Sequence, residues 1–110
     1  MTQLSGTELH VLLLFAAHFV GDFAFQSAWM AMEKRKNLEV LAYHVFTYST
    51  PFVVLAVFPD VSVTLMGLVL NAVLHFIVDY CKGREWVKTI WQDQMLHAFC
   101  IGLLFLAGLL

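Results

Sequence analysis

Three carboxylates and four imidazoles stand on stretches of this sequence that are otherwise apolar. His18 and Asp22, His75 and Asp79, and Asp93 and His97 are each separated by four residues, while His44 stands alone on the second apolar stretch. A four-residue step puts both members of a pair on one face of a helix. Neutral imidazole and carboxylate are ligands for zinc, iron or manganese, and the set of seven exceeds the four that one zinc needs. They therefore read either as one metal with further carboxylates behind its ligands or as two metals. A divalent metal, zinc first and iron or manganese next, would neutralise the aspartates. It would also supply a Lewis acid for hydrolysis of a lipid or phosphate ester, with Asp22 or Asp93 as the catalytic base. Gln26 extends the first stripe by one turn, and Asn71, with Gly67, extends the third stripe backwards, so both read as polar support for the ligands.

The elements that must carry these residues are membrane helices. Of the 110 residues 61% are hydrophobic and 13% charged, with net charge −2 and a mean hydropathy of +0.80, whereas a soluble domain carries about 25% charged residues. This balance excludes a disordered chain and a basic nucleic-acid binder, and two cysteines exclude a disulfide scaffold. A helix needs about 20 apolar residues to cross a hydrocarbon core of about 30 Å. The chain has room for four, predicted at about 9–32, 40–58, 61–81 and 90–110 within a single transmembrane domain covering 1–110. The expected fold class is all-α, an up-down bundle of four transmembrane helices.

Charged loops at 33–37 and 82–88 and a Pro59-Asp60 turn separate the spans. All six Lys and Arg lie in the two charged loops, which the positive-inside rule assigns to the cytoplasm. Both termini are then expected outside, in a multi-pass membrane protein. Trp29, Trp86 and Trp91 flank the same loops, where indoles favour the headgroup region. No signal-peptide pattern precedes Glu8. The lipid bilayer is the expected partner, with a second copy of the chain or another membrane protein on the remaining lipid-facing surface.

Each aspartate costs roughly 2.5–3.5 kcal/mol at the centre of an inserted helix. The spans carry no Lys or Arg, so a bound cation is the simplest compensation. Counted at about 1.5 Å per residue, His44, His75 and His97 lie roughly 10–13 Å below their basic loops, in one layer of the cytoplasmic half. His18-Phe-Val-Gly-Asp22-Phe also matches His75-Phe-Ile-Val-Asp79-Tyr, and each is followed by a basic loop and then His44-Val-Phe46 or His97-Ala-Phe99. That order reads as a 2+2 internal repeat, imperfect because Val40 stands where Asp93 stands in the second copy.

Three other uses of the layer compete with a hydrolase. A small oligomeric proton- or cation-coupled transporter would use Asp and His in this way, but the outer halves, such as Val53 to Phe58 and Leu103 to Leu110, are apolar and favour a site with one mouth. A b-type haem between facing histidines is the second; aspartates one turn away suit a macrocycle poorly. In the third, the pairs serve only to lock the helices of a structural or regulatory membrane partner protein. Such bonds are worth about 0.6 kcal/mol each, and Asn or Ser would make them at lower insertion cost. Ala17, Gly21 and Gly67 read as sites of close helix approach, and Pro51 as a bend beyond His44.

The motifs Ala17-His18-Phe-Val-Gly-Asp22-Phe-Ala-Phe-Gln26, the single His44, Leu74-His75-Phe-Ile-Val-Asp79-Tyr and Asp93-Gln-Met-Leu-His97, in this order along nearly the whole chain, resemble a family of small bacterial and phage integral membrane proteins catalogued as a domain of unknown function. The resemblance implies a four-span bundle with its polar motifs facing inward. It implies no activity.

Overall fold

The computed structural model describes residues 3–59 and 61–110. Among them the chain is all-α. Helix α1 (Gly6–Phe19) passes directly into a π-helical turn (Val20–Ala24), followed by α2 (Ala28–Glu33), α3 (Leu38–Leu55), α4 (Leu65–Gly83) and α5 (Ile90–Leu106). The starts of the α-helices follow from local sequence. Ser5, Ser27, Asn37, Thr64 and Thr89 each accept a first-turn backbone N–H with a side-chain oxygen, and Ser5 with Glu8 and Thr89 with Gln92 complete capping boxes.

The continuous helical stretch Gly6–Ala24, of 19 residues, together with α3 of 18 and α4 of 19, is long and apolar enough to cross a membrane; α5 is apolar and has 17 residues. The long dimension of 44 Å is close to the roughly 40–45 Å of a bilayer with its headgroups. Phe46, Leu65 and Leu106 are each more than three-quarters exposed, an apolar surface that suits hydrocarbon better than water.

The apolar stretch expected as one span over 9–32 is divided. Residues 25–27 leave the helix, and α2 starts afresh at its Ser27 cap. Residues 61–64, expected to open the third span, form a loop instead; of the Pro59-Asp60 turn, Asp60 lies outside the described residues. After α5 the chain turns back through Gly108, whose φ of 77° is the left-handed conformation that glycine adopts without strain. The Leu109 carbonyl then accepts the Thr64 N–H at 3.1 Å and the Thr64 hydroxyl at 2.8 Å. Gly67 makes room for this return, since a Cβ there would fall on the Leu109 carbonyl oxygen.

Around the molecule α3 packs on α4, α4 on α5, and α1 on both α5 and α3, while the π-helical turn and α2 lie against α3. The enclosed volume has two unlike halves. One is an apolar core that includes Leu14, Phe52, Leu55, Ile101, Leu104 and Leu110. The other buries His18, Asp22, His44, Asn71, His75, Asp79, Asp93 and His97. On α3 the change takes three steps of four residues or fewer along one buried stripe, from His44 through Tyr48 and Phe52 to Leu55. The two halves of the expected repeat differ locally: His18 and Asp22 straddle the junction of α1 with the π-helical turn, whereas His75 and Asp79 share the uninterrupted α4.

Candidate metal centre

Four buried side chains from three elements converge on one point: Asp22 of the π-helical turn, His44 of α3, and His75 and Asp79 of α4. His44 Nε2 lies 3.1 Å from His75 Nε2 and 3.1 Å from Asp79 Oδ2. His75 Nε2 lies 3.3 Å from the same Asp79 oxygen, and Asp22 Oδ1 is 3.4 and 3.5 Å from the His44 and His75 nitrogens. A metal held at about 2.0–2.1 Å by four ligands in a regular tetrahedron separates them by about 3.3–3.4 Å. Five of the six edges, at 3.1–3.5 Å, therefore bracket the length that tetrahedral coordination requires.

A second group adjoins the first through Asp22, which lies within ligand reach of Asp93 and His97. His97 Nε2 is 3.2 Å from Asp93 Oδ1 and 3.2 Å from Asp79 Oδ1. Ring stacking fixes the imidazole planes: Tyr48 lies on His75 with centroids 3.6 Å apart, and His75 lies on His97 at 4.2 Å. Among the described residues the Nδ1 atoms of His44 and His75 have no hydrogen-bond partner, so both rings present Nε2 to the cluster.

The structure thus brings together Asp22, His44, His75, Asp79, Asp93 and His97. It does not bring in His18, whose Nε2 stays 4.0 Å from Asp22 Oδ2. The pair still shares one buried face, but Asp22 sits in the π-helical turn, where wider winding goes with a longer separation than the 3.3 and 3.2 Å of the pairs on α4 and α5. Both His18 nitrogens are occupied elsewhere. Nε2 donates to Gln94 Oε1 at 2.8 Å, and Nδ1 accepts from the Tyr48 hydroxyl at 3.0 Å. Gln94 in turn donates its two amide hydrogens to Asp22 Oδ2 and Asp93 Oδ2, at 3.1 and 3.0 Å. His18 therefore orients Gln94, and Gln94 orients the two carboxylates.

Gln26, expected as polar support, makes no hydrogen bond to the cluster; the helix ends before it and its Oε1 has no partner among the described residues. Asn71 is buried one turn before His75 on α4.

The expectation that no basic side chain enters the layer is corrected. Lys34 Nζ reaches Asp79 Oδ2 at 2.7 Å and His44 Nε2 at 3.3 Å, and Lys82 Nζ reaches Asp93 Oδ2 at 3.3 Å. Both belong to loops read as lying above the membrane. Their long aliphatic stems carry the ammonium inward along the helix ends, the reverse of the outward reach expected of interfacial lysines. Lys34 touches the Asp79–His44 edge of the tetrahedron and does not approach Asp22 within 4.0 Å.

Tyr48 had a visible signal, since it stands four residues after His44 on the same face. Gln94 had a weaker one, three residues before His97, but next to Asp93 rather than a helical turn away. Outside the cluster, Lys34, Arg35, Lys36 and Arg84 line a cavity of about 180 Å³, and Arg35, Lys82 and Lys88 line another of about 400 Å³. The end of the molecule that holds the buried carboxylates is thus also rimmed with positive charge.

Residues 10–108 match a family described as protein of unknown function (DUF3307). No curated protein and no solved structure matches the chain.

Proposed function

The chain belongs to the DUF3307 family of proteins of unknown function, and from that premise we propose that it is an integral membrane metalloprotein that hydrolyses a lipid or phosphate ester. The observation that carries the proposal is the set of five ligand-to-ligand distances between 3.1 and 3.5 Å around Asp22, His44, His75 and Asp79. Four atoms at the spacing of a coordination tetrahedron fit zinc first, with iron or manganese as alternatives. A metal there supplies Lewis acidity to an ester. The chain's own residues supply the rest. Gln94 holds Asp22 and Asp93 in place, Asp93 stands beside the tetrahedron as the general base, and the rim of Lys34, Arg35, Lys36 and Arg84 receives an anionic group.

In this reading four helices span a bacterial inner membrane as an up-down bundle, with loops 33–37 and 82–88 cytoplasmic, both termini outside, and the cluster in the cytoplasmic half. The apolar core beneath the cluster supports one mouth. A transporter needs its polar path to reach both faces, and the buried stripe from Phe52 to Leu55 is closed by Ile101, Leu104 and Leu110.

The Lys34–Asp79 contact of 2.7 Å favours one other reading, a structural or regulatory bundle held by ion pairs. Elemental analysis and an absorption spectrum of detergent-purified protein separate the two. Stoichiometric metal without a Soret band, lost in His75→Ala and Asp79→Ala variants that still insert, together with ester hydrolysis lost in the same variants, is the expected result. Metal-free protein after incubation with zinc, iron and manganese overturns the proposal, and a Soret band replaces it with haem.

A further inference from the structure

We infer that the cluster holds two metal ions, bridged by the carboxylates of Asp79 and Asp22, with Asp93 and His97 as ligands of the second. The inference rests on the metal reading proposed above, adds a second ion to it, and makes Asp93 a ligand of that ion in place of the general base of the single-ion reading. Its starting point is the division of labour between carboxylate oxygens. Asp79 Oδ2 belongs to the first tetrahedron, beside His44 and His75, whereas Asp79 Oδ1 faces away from it and lies 3.2 Å from His97 Nε2. Asp22 presents Oδ1 to the first tetrahedron and is also within ligand reach of Asp93 and His97.

The second observation is an unpaired oxygen. Asp93 is 2% exposed, and its Oδ1 is buried with no hydrogen-bond partner among the described residues, although it lies 3.2 Å from His97 Nε2. A single ring nitrogen carries at most one hydrogen, and the bond from His97 Nε2 to Asp79 Oδ1 uses it. Asp93 Oδ1 is left aimed at the cluster without a donor, an expensive arrangement for a buried carboxylate. Asp93 Oδ1 and Asp79 Oδ1 each stand 3.2 Å from His97 Nε2, about one tetrahedral edge, and Asp22 lies within ligand reach of Asp93 and His97, so a second cation has candidate ligands around it. The other Asp93 oxygen is bonded by Gln94 and Lys82, which fixes the direction of Oδ1. Carboxylates that bridge through opposite oxygens hold paired metals about 3.5–4 Å apart.

The test loads the metal-free, detergent-purified full chain with Mn²⁺ alone and reads stoichiometry by elemental analysis and spin coupling by electron paramagnetic resonance. The expected result is two ions per chain with an exchange-coupled spectrum. In Asp93→Asn and His97→Gln the expected result is one ion and an uncoupled six-line spectrum, each variant serving as control for the folding of the other. One ion in the unmodified chain, with six uncoupled lines, overturns the second site and leaves the single-metal reading standing. No bound Mn²⁺ overturns the second site, and a chain that also stays metal-free with zinc and iron overturns both.

Discussion

Gly21 is the position at which backbone packing and the candidate metal centre meet. A Cβ built there comes 2.5 Å from the Tyr48 carbonyl oxygen and 3.0 Å from the Tyr48 Cα, whereas ordinary contact begins at 3.4 Å. A Gly21→Ala chain must therefore open the gap between the π-helical turn and α3 by about 0.9 Å, the difference between 3.4 and 2.5 Å. Asp22 is the next residue, and its Oδ1 stands 3.4 and 3.5 Å from His44 and His75. If it moves with the turn, those edges lengthen by up to about 0.9 Å, to at most about 4.3–4.4 Å, well past the edge of about 3.4 Å that one tetrahedral ion at about 2.1 Å requires. The substitution should cost about 1–3 kcal/mol of stability as an overpacked contact and weaken zinc binding about 10–100-fold, the range seen when the support of a ligand is removed. Chelator competition on detergent-purified protein measures the affinity, and thermal unfolding measures the stability. Gly102→Ala is the control, because nothing lies within 4 Å of a Cβ at that position. A Gly21→Ala chain that binds zinc within twofold of the unmodified chain refutes the coupling between the Tyr48 contact and the Asp22 ligand.

Lys34→Met removes the ammonium from an Asp79 side chain that is 1% exposed. The metal-free chain should lose about 3–5 kcal/mol, as when one partner of a buried pair is deleted; added zinc should raise its unfolding temperature more than it raises that of the unmodified chain, and a smaller rise would show that Lys34 supports the metal instead of competing with it. Gln94→Leu deletes both donors to Asp22 and Asp93 and should weaken zinc binding about 10–100-fold, with chelator competition again as the measure; unchanged affinity would mean that the carboxylates hold their places unaided. In a Cys81→Ser, Cys100→Ser background, single cysteines at Lys36 and Glu85 should react with a membrane-impermeant thiol reagent from the cytoplasmic side, and one at Ser62 from the opposite side. Labelling of Lys36→Cys and Glu85→Cys from different sides would exclude the four-span arrangement.

The helix-face rule carried far in this sequence because α4 and α5 are regular α-helices: His75 with Asp79, and Asp93 with His97, lie where a four-residue step puts them. The same rule gives a looser pair at His18, 4.0 Å from Asp22, because it presumes α-helical winding, and no composition signal in Val20–Ala24 announces a π-helical turn. The end of the first helix was hidden for a related reason. Phe25, Gln26 and Ser27 contain no Gly or Pro to break a helix, and only the Ser27 cap marks a new start. The lysines were invisible to span-by-span reading, which assigns a residue to the membrane by its backbone position, whereas Lys34 and Lys82 enter the layer through their side chains alone. Gln94 gains its role from contacts with α1 and the π-helical turn, more than 70 residues away in sequence, and pairings at that separation leave no mark on local periodicity.

The apolar core beneath the cluster is also an electrical insulator. In a bilayer, Leu14, Phe52, Leu55, Ile101, Leu104 and Leu110 stand between a nest of carboxylates and imidazoles and the far aqueous phase. A bare charge crossing such a medium meets a Born barrier on the order of tens of kcal/mol. In the one-mouth reading proposed above, protons exchanged by the cluster return to the side from which they came, and the cluster samples the pH and free-metal concentration of one compartment.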